Sequence, residues 1–328
     1  MRYIENAHTT RAYSKIGLGT WQFGSREWGY GADYDEREAP RLVRRAVELG
    51  VTVFDTAELY GFGRSERILG DALRAALHET GTAREELVVA SKMLPLLPVA
   101  PVVEQRAVAS AARLDLGGID LYQVAQANPV VRDSVTMRGM VSLRRAGVIR
   151  DVGVSNYSLA RWRQAETALG APVLTNQVQY SLVARGPERD LLPYAEGADR
   201  IVLAYSPLGQ GLLSGRYSPD RRPLNGARAL NPLFLPENLE RVRPLLGTLR
   251  EVADAHDATP SQIALAWVIR HPAVVAIPGA ASVAQLESNV AAADIKLTDD
   301  EYTALSDAAH RFTPLTWPGA LPRLLSRR

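Results

Sequence analysis

Glu36-Arg37-Glu38-Ala39-Pro40-Arg41-Leu42-Val43-Arg44-Arg45-Ala46-Val47-Glu48-Leu49-Gly50-Val51-Thr52-Val53-Phe54-Asp55 sets the reading of the whole chain. From Glu36 to Leu49 the apolar residues Leu42, Val43, Ala46, Val47 and Leu49 share one helical stripe, which Gly50 ends. Val51 to Phe54 then make a short apolar run without polar alternation, as expected of a parallel strand covered on both faces. A charged Asp55 closes it.

The same pattern recurs on either side. Apolar runs lie at Ile16 to Leu18, Leu87 to Ala90, Ile119 to Val124, Val152 to Val154, Val173 to Leu174, Ile201 to Ala204 and Val274 to Ile277. Helical patterns cover Ser65 to Leu77, Glu104 to Leu116, Thr136 to Ala146, Ser158 to Leu169 and Val283 to Ala293. Eight strands, each followed by a helix, predict a (β/α)8 TIM barrel occupying residues 1–328 as one domain. An open doubly wound sheet would have fewer strands and a phosphate-binding glycine loop near the start. Gly17-Leu18-Gly19 and Gly61-Phe62-Gly63 lack the third glycine of such a loop and read as turns. Ser206 to Pro236, rich in Gly, Pro and Arg, reads as a long, mobile functional loop after the seventh strand. Beyond Thr298 a short helix precedes a tail with Pro314, Trp317, Pro318 and Pro322, expected to lie over the barrel mouth or bottom.

Composition narrows the function. With 46% hydrophobic and 23% charged residues the chain is neither disordered nor fibrous. The absence of cysteine excludes disulfides, thiolate nucleophiles and cysteine zinc sites, and a reducing cytoplasm is the expected compartment. Met1 to Thr10 lacks the charge and apolar pattern of a secretory signal, and no run reaches the ~18 apolar residues of a membrane helix. A net charge of +2 with scattered arginine pairs argues against nucleic acid. Nothing has the spacing of a catalytic metal site or a Walker loop. Asp33, Asp35, Glu36 and Glu38 read as a solvated helix start.

Barrel active sites sit at the C-terminal strand ends. Those ends read Gly19-Thr20-Trp21, Asp55, Ser91-Lys92, Ala125-Gln126, Ser155-Asn156, Asn176-Gln177, Tyr205-Ser206 and Pro278-Gly279, a nearly continuous polar ring. Singly, Asp55 could cap a helix, Lys92 could be a surface charge and Tyr60 a loop aromatic. On neighbouring strand ends they read as a set: the aspartate keeps the ammonium charged, and the ammonium lowers the phenol pKa, tuning a proton donor.

At these residues the chain resembles the aldo-keto reductase superfamily, from about Ile16 to Ala293. The resemblance rests on Phe54-Asp55-Thr56-Ala57-Glu58-Leu59-Tyr60-Gly61, Ser91-Lys92, Gly153-Val154-Ser155-Asn156-Tyr157, Ala204-Tyr205-Ser206-Pro207-Leu208, and Ile277-Pro278-Gly279 with Gln285-Leu286 and Asn289. It implies a barrel that reduces aldehydes or ketones with NADPH, NADH remaining open. Tyr60 would be the general acid, tuned by Lys92 and Asp55, with Asp55 also bordering the cofactor. Ser155, Asn156 and Gln177 would bind the nicotinamide carboxamide and Tyr205 would stack on its ring. Ser206, Pro207, Leu208, Gly209, Gln210, Ser214 and Arg216 would wrap the pyrophosphate. Gly279, Gln285 and Asn289 would hold the adenosine end, while Thr20 and Trp21 would line the nicotinamide and substrate side. Trp21, Trp28, Tyr60, Met93 and Leu94 would wall the pocket, with Leu233 or Phe234 as a lid. Tyr205 as core packing and Arg216 as a solvated loop charge are the plain alternatives. The substrate implied is a small carbonyl compound, such as an aldehyde, a flat ketone, a sugar or an antibiotic intermediate.

Two departures stand out. Relatives usually carry histidine where this chain has Ala125, within Leu121-Tyr122-Gln123-Val124-Ala125-Gln126. None of His8, His78, His256, His271 and His310 falls at a strand end to replace it. Slow reduction, a bulkier or self-orienting substrate, cofactor binding without turnover and an introduced substitution would each account for the alanine. Channel-associated β subunits of the superfamily also lack the histidine and act partly as NADPH-binding regulators, which makes a cofactor sensor the alternative function. The second departure is Ala280-Ala281, where many relatives place Arg, Lys or Ser near the adenosine phosphate; Arg221, Arg222 or Arg228 could serve instead.

Overall fold

The computed structural model describes residues 1–25, 38–223 and 226–316. A two-residue antiparallel hairpin, β1 (Tyr3–Ile4) and β2 (Tyr13–Ser14), precedes the barrel. Eight parallel strands follow: β3 (Leu18–Gly19), β4 (Val53–Asp55), β5 (Val88–Met93), β6 (Ile119–Val124), β7 (Ile149–Ser155), β8 (Thr175–Gln179), β9 (Ile201–Tyr205) and β10 (Val274–Ala276). Neighbours in sequence are neighbours in the sheet, and a parallel bridge between Ile16 and Ala276 joins its first and last strands. The expected (β/α)8 barrel is formed.

Helices α1 (Glu38–Glu48), α2 (Arg64–Thr80), α3 (Ala100–Leu114), α4 (Asp133–Arg145), α5 (Leu159–Leu169) and α6 (Leu191–Gly197) connect successive strands up to β9. Between β9 and β10 lie α7 (Gly226–Ala229), α8 (Pro236–Arg241), α9 (Arg243–Ala255) and α10 (Pro260–Ile269); α11 (Val283–Ala291) and α12 (Asp299–Arg311) complete the chain. Several ends carry the expected stops. Ser158 accepts from the Arg161 amide at the start of α5, and Gly170 closes it in the left-handed conformation. Thr298 and Glu301 form a capping box on α12.

Two apolar layers support this frame. Val53, Val88, Ala90, Leu121, Ile201, Leu203, Val275 and Ile277 fill the barrel, with Tyr13 of the hairpin packed among them. The larger layer lies between strands and helices. Met93 belongs to that outer layer, so it faces the helices rather than walling a pocket as expected. Gly153 marks a tight point of the interior: a Cβ there would fall 2.2 Å from the Thr175 hydroxyl oxygen.

Some expected boundaries move. The sixth barrel strand forms at Thr175–Gln179 rather than at Val173 to Leu174, because its side chains make polar contacts across the barrel. Gly17-Leu18-Gly19 is not a turn, since Leu18 and Gly19 pair with Phe54 and Asp55 as the first barrel strand. The tail crosses α8: Leu315 exchanges two hydrogen bonds with the Asn238 side chain, and Arg241 donates to Thr313 O. Trp28, Asp33, Asp35, Glu36, Trp317, Pro318 and Pro322 lie outside the described residues. Among the described residues no helix is long and apolar enough to cross a membrane.

Candidate active site

β4 delivers Asp55 to the barrel mouth and β5 delivers Lys92. Lys92 Nζ donates to Asp55 Oδ2 at 2.7 Å and to Thr56 O at 2.9 Å, with both charged side chains almost wholly buried. Gln177 Nε2 reaches from β8 to the other carboxylate oxygen of Asp55, at 2.6 Å. Lys92 Nζ also lies 4.7 Å from the centre of the Tyr60 ring, whose outer side carries Trp21 in a stacked arrangement, 5.6 Å between centroids.

A knot of hydroxyls holds the loop that carries Tyr60. Thr20 Oγ1 donates to Asp55 O at 2.9 Å, and Ser65 Oγ lies 2.9 Å from the hydroxyls of both Thr20 and Thr56. Thr20 is fully buried, so its side chain braces this loop from beneath. Beyond Tyr60 the chain turns through three consecutive positive φ values at Gly61, Phe62 and Gly63. Glu58, which the sequence reading passed over, accepts from the Leu94 amide at 2.5 Å and pairs with Arg106 at 2.7 Å. Its position two residues before Tyr60 in the quoted motif is the signal that could have drawn notice.

Burial raises the Tyr60 pKa above that of an ordinary phenol, and the Asp55 charge adds to this, while Lys92 pulls it down by charge and hydrogen bonding. The expected lowering by the ammonium is therefore present but outweighed, because desolvation disfavours the phenolate more. For Lys92 burial alone would lower the pKa; Asp55, with Tyr60, more than offsets it, and the ammonium is held.

On the opposite wall a chain of hydrogen bonds runs across the strand ends. Tyr205 Oη donates to Asn156 Oδ1 at 3.1 Å, Asn156 Nδ2 donates to Ala125 O and Ser155 Oγ, both at 3.2 Å, and Ser155 Oγ donates to Gln177 O at 2.9 Å. Ser155, Asn156, Gln177 and Tyr205 are thus brought together with Asp55 and Lys92. Gln177 gives one amide proton to Asp55, so its expected contact with a carboxamide is left to its remaining atoms. Ala125 donates its amide to Met93 O and presents only a methyl group.

The segment after β9 folds back on itself. Ser206, Gly209, Gln210 and Gly211 have positive φ, and the amides of Gly209 and Gly211 bond Ser206 O and Leu208 O. Pro207 is buried, as are Leu212 and Leu213, which anchor the turn. Ser214 Oγ donates to Gly211 O, and the exposed Arg216 lies so close that a Cβ on Gly211 would sit 3.1 Å from its guanidinium. Arg228 and Asn231 donate to the carbonyl and side-chain oxygens of Gln210. Phe234 is fully buried against Tyr217, 5.0 Å between ring centres. It anchors the loop and is not the expected lid; Leu233 is half-buried.

Gly279, Gln285 and Asn289 converge at the end of β10. Asn289 Nδ2 donates to Gly279 O, Gln285 Oε1 accepts the Ala281 amide, and Gln22 Nε2 donates to Ala280 O. A Cβ on Gly279 would meet Gln22 Oε1 at 2.8 Å, so a larger residue there would displace the Gln22 side chain. Backbone folded with open glycine positions, an arginine beside it and a polar ring at the strand ends fit an extended dinucleotide bearing phosphates and an amide.

The sequence model of the aldo/keto reductase family matches residues 15–310. The chain belongs to the aldo/keto reductase family. It is an oxidoreductase of that family, and carbonyl reduction is the activity the family membership supports. An uncharacterized oxidoreductase of Mycobacterium tuberculosis is 58% identical over 303 residues, 92% of this chain and 91% of the relative. Methylglyoxal reductase YeaE of Escherichia coli is 34% identical, over 89% of this chain and 90% of its own. An aldo-keto reductase from Klebsiella pneumoniae, solved in complex with NADPH, superposes with a TM-score of 0.72 at 29% identity, covering 93% of this chain and 95% of the other.

Proposed function

We propose that this reductase uses NADPH to convert an aldehyde or ketone into an alcohol, with Tyr60 as the proton donor. The observation that carries the reading is the buried Lys92–Asp55 pair set beside a phenol held in its protonated form. When bound, the reduced nicotinamide supplies a hydride to the carbonyl carbon. Tyr60 gives its proton to the carbonyl oxygen, and the negative charge left on its ring is met by the Lys92 ammonium. Lys92 Nζ, 4.7 Å from the ring centre and hydrogen-bonded to the phenol, is placed to meet that charge. Asp55 keeps the ammonium charged, and Gln177 fixes the carboxylate.

Ser155, Asn156, Gln177 and Tyr205 would hold the nicotinamide end. Ser206 to Gln210, Ser214 and Arg216 would hold the phosphates, and Gly279, Gln285 and Asn289 the adenosine. Arg216 and Arg228 stand beside the phosphate turn and would neutralise the pyrophosphate; the choice of NADPH is supported by the NADP and NADPH complexes of the structural neighbours.

Absorbance-monitored oxidation of NADPH with activated aldehydes and diketones tests the reading. Turnover that Tyr60→Phe abolishes, with cofactor affinity nearly unchanged, is the expected result; unchanged turnover in that variant would remove Tyr60 from the role. Ala125 favours a second reading, a cofactor-binding regulator, since no histidine stands at the C-terminal end of a barrel strand. That reading expects tight NADPH binding with negligible turnover of every carbonyl.

A further inference from the structure

The segment that carries Tyr60 is held to its surroundings by side chains at both ends. Tyr60 and Phe62 give their amides to Ala57 O and Leu59 O, inside the loop itself, so these bonds shape the turn without fixing where it stands over β5. Two carboxylates do that. Glu58 precedes Tyr60 in the loop, and Glu66 follows it in the first turn of α2.

Each carboxylate has the same two kinds of partner. Glu58 accepts from the Leu94 amide and takes Arg106 as a fork, 2.7 Å from Oε1 and 3.0 Å from Oε2. Glu66 Oε1 accepts from Ser91 Oγ at 2.6 Å, and Arg113 pairs with its Oε2. Ser91 and Leu94 bracket Lys92, and Arg106 and Arg113 stand about two helical turns apart on α3. Both ends of the Tyr60 segment are thus tied to a residue beside Lys92, and both ties are braced from one helix. Strand alternation separates the tasks: Lys92 turns into the mouth toward Asp55, while Ser91 turns outward to α2. Arg113 also touches the turn itself, since a Cβ on Gly63 would come within 2.7 Å of its Cδ.

Stability does not account for this arrangement. Glu66 is fully buried, and the Glu58 side chain is only 12% exposed. Ions taken out of water lose hydration that pairing does not fully return, and apolar residues of like volume commonly serve a fold as well or better. What an ionic staple adds is direction, because a carboxylate met by a guanidinium fork accepts at set angles. Proton transfer needs such accuracy: an error of about 1 Å at a reacting group costs about 100-fold in rate.

We infer that Glu58 and Glu66 are positioning residues, two staples that hold the Tyr60 loop at the distance from Lys92 which proton donation requires. The inference rests on the carbonyl-reductase reading for the role of Tyr60. Both glutamates act through the loop and the strand they join.

The double variant Glu66→Leu, Arg113→Met removes one staple without stranding a buried charge, so its urea midpoint should match that of the wild type. For an activated aldehyde kcat should fall about 10- to 100-fold, while the Kd of NADPH changes by less than about twofold. In a Lys92→Met background the same change should cost less than about twofold, because the spacing no longer has a countercharge to place. A second readout needs no turnover. The lysines of the chain are Lys15, Lys92 and Lys296, so nitrogen-15 labelling at Nζ gives a spectrum in which the Lys92 signal is assigned by its loss in Lys92→Met. That signal should shift in the double variant while those of Lys15 and Lys296 stay in place. If the double variant fails to fold, Ser91→Ala unties Glu66 from β5 with every charge kept, and reads the same signal and rate. An unmoved Lys92 signal in a folded variant overturns the inference. So does a moved signal with kcat unchanged, a loss of NADPH affinity as large as the loss of rate, or a rate loss that persists in full without Lys92. If the signal moves and the wild type turns over no carbonyl compound, the staples stand and the reductase reading fails.

Discussion

Lys92 Nζ and Asp55 Oδ2 lie 2.7 Å apart in a site where both side chains are more than nine-tenths buried. A buried pair is costly to break from one side, because the remaining charge keeps its desolvation penalty. Asp55→Asn should therefore destabilise the protein by about 3 kcal/mol in urea unfolding. Burial would then dominate at Lys92, whose pKa should drop as the ammonium loses its partner. Asp55→Asn combined with Lys92→Met should recover much of that stability, and none of the reductase activity. A double variant as unstable as the sum of the single ones would show that the pair is not coupled.

The pH dependence of reduction follows from the raised Tyr60 pKa. Reduction requires the protonated phenol, so kcat/KM should stay flat from neutral pH to about 10, the ordinary phenol value, and fall only above it. Lys92→Met removes the downward pull and should push the fall still higher. It should also cost roughly 100-fold in rate, because the developing phenolate loses its countercharge. A fall centred near neutral pH in the wild type would assign the titrating donor to another group.

Lys15 closes the barrel from the other end. Its ammonium donates to His271 O, Pro272 O and Val274 O at 2.7, 2.8 and 3.1 Å, beside the Ile16–Ala276 bridge that joins the first and last strands. Lys15→Met should cost about 2–3 kcal/mol, since three carbonyls lose their shared donor at once, an amine whose pKa burial pulls down to about 7. The Michaelis parameters should change less than twofold, because the ammonium serves the seam and not the mouth. Urea unfolding and steady-state rates measured on one preparation separate the two effects.

The parts of this molecule legible in its sequence are those written in local periodicity. Ile201 to Ala204 and Val274 to Ile277 are apolar because helices cover one face and the barrel interior the other, and such runs have few alternatives. β1 and β2 escaped notice because two residues carry no period. α9 and α10 lie beyond the long loop and outside every expected helical stretch, and α10 is buried nearly all round, so it lacks a polar stripe. The site residues were legible as a ring of strand ends. Their partners were not: Gln177 meets Asp55 across 122 positions, and which hydrogen bond it makes depends on the closed barrel. The direction of the Tyr60 shift was missed for a related reason, since an adjacent lysine is visible in a motif but burial is a property of the fold. Met93 and Phe234 were misread because apolar residues near a site look alike until the alternation of β5 and the packing of Tyr217 decide which way they face.

Ala125 sets the last expectation. It directly follows β6, with its amide on Met93 O and its carbonyl accepting from Asn156, so the backbone that would carry a larger side chain is already pinned on both sides. Being half-buried, the position has room toward the mouth. Ala125→His would place an imidazole where it can hydrogen-bond a carbonyl oxygen as Tyr60 protonates it, and a positioned acid–base partner contributes about 100-fold. For propanal, a small substrate that the ring leaves room for, kcat/KM should rise about tenfold or more. If the space beside Ala125 serves a bulkier substrate, the same ring should obstruct decanal, so KM should rise and the net gain should shrink or reverse. Steady-state kinetics on the two aldehydes decide the matter: a uniform gain would mean that histidine was the only thing missing, and a gain confined to propanal would mean that the alanine keeps space for a bulkier substrate.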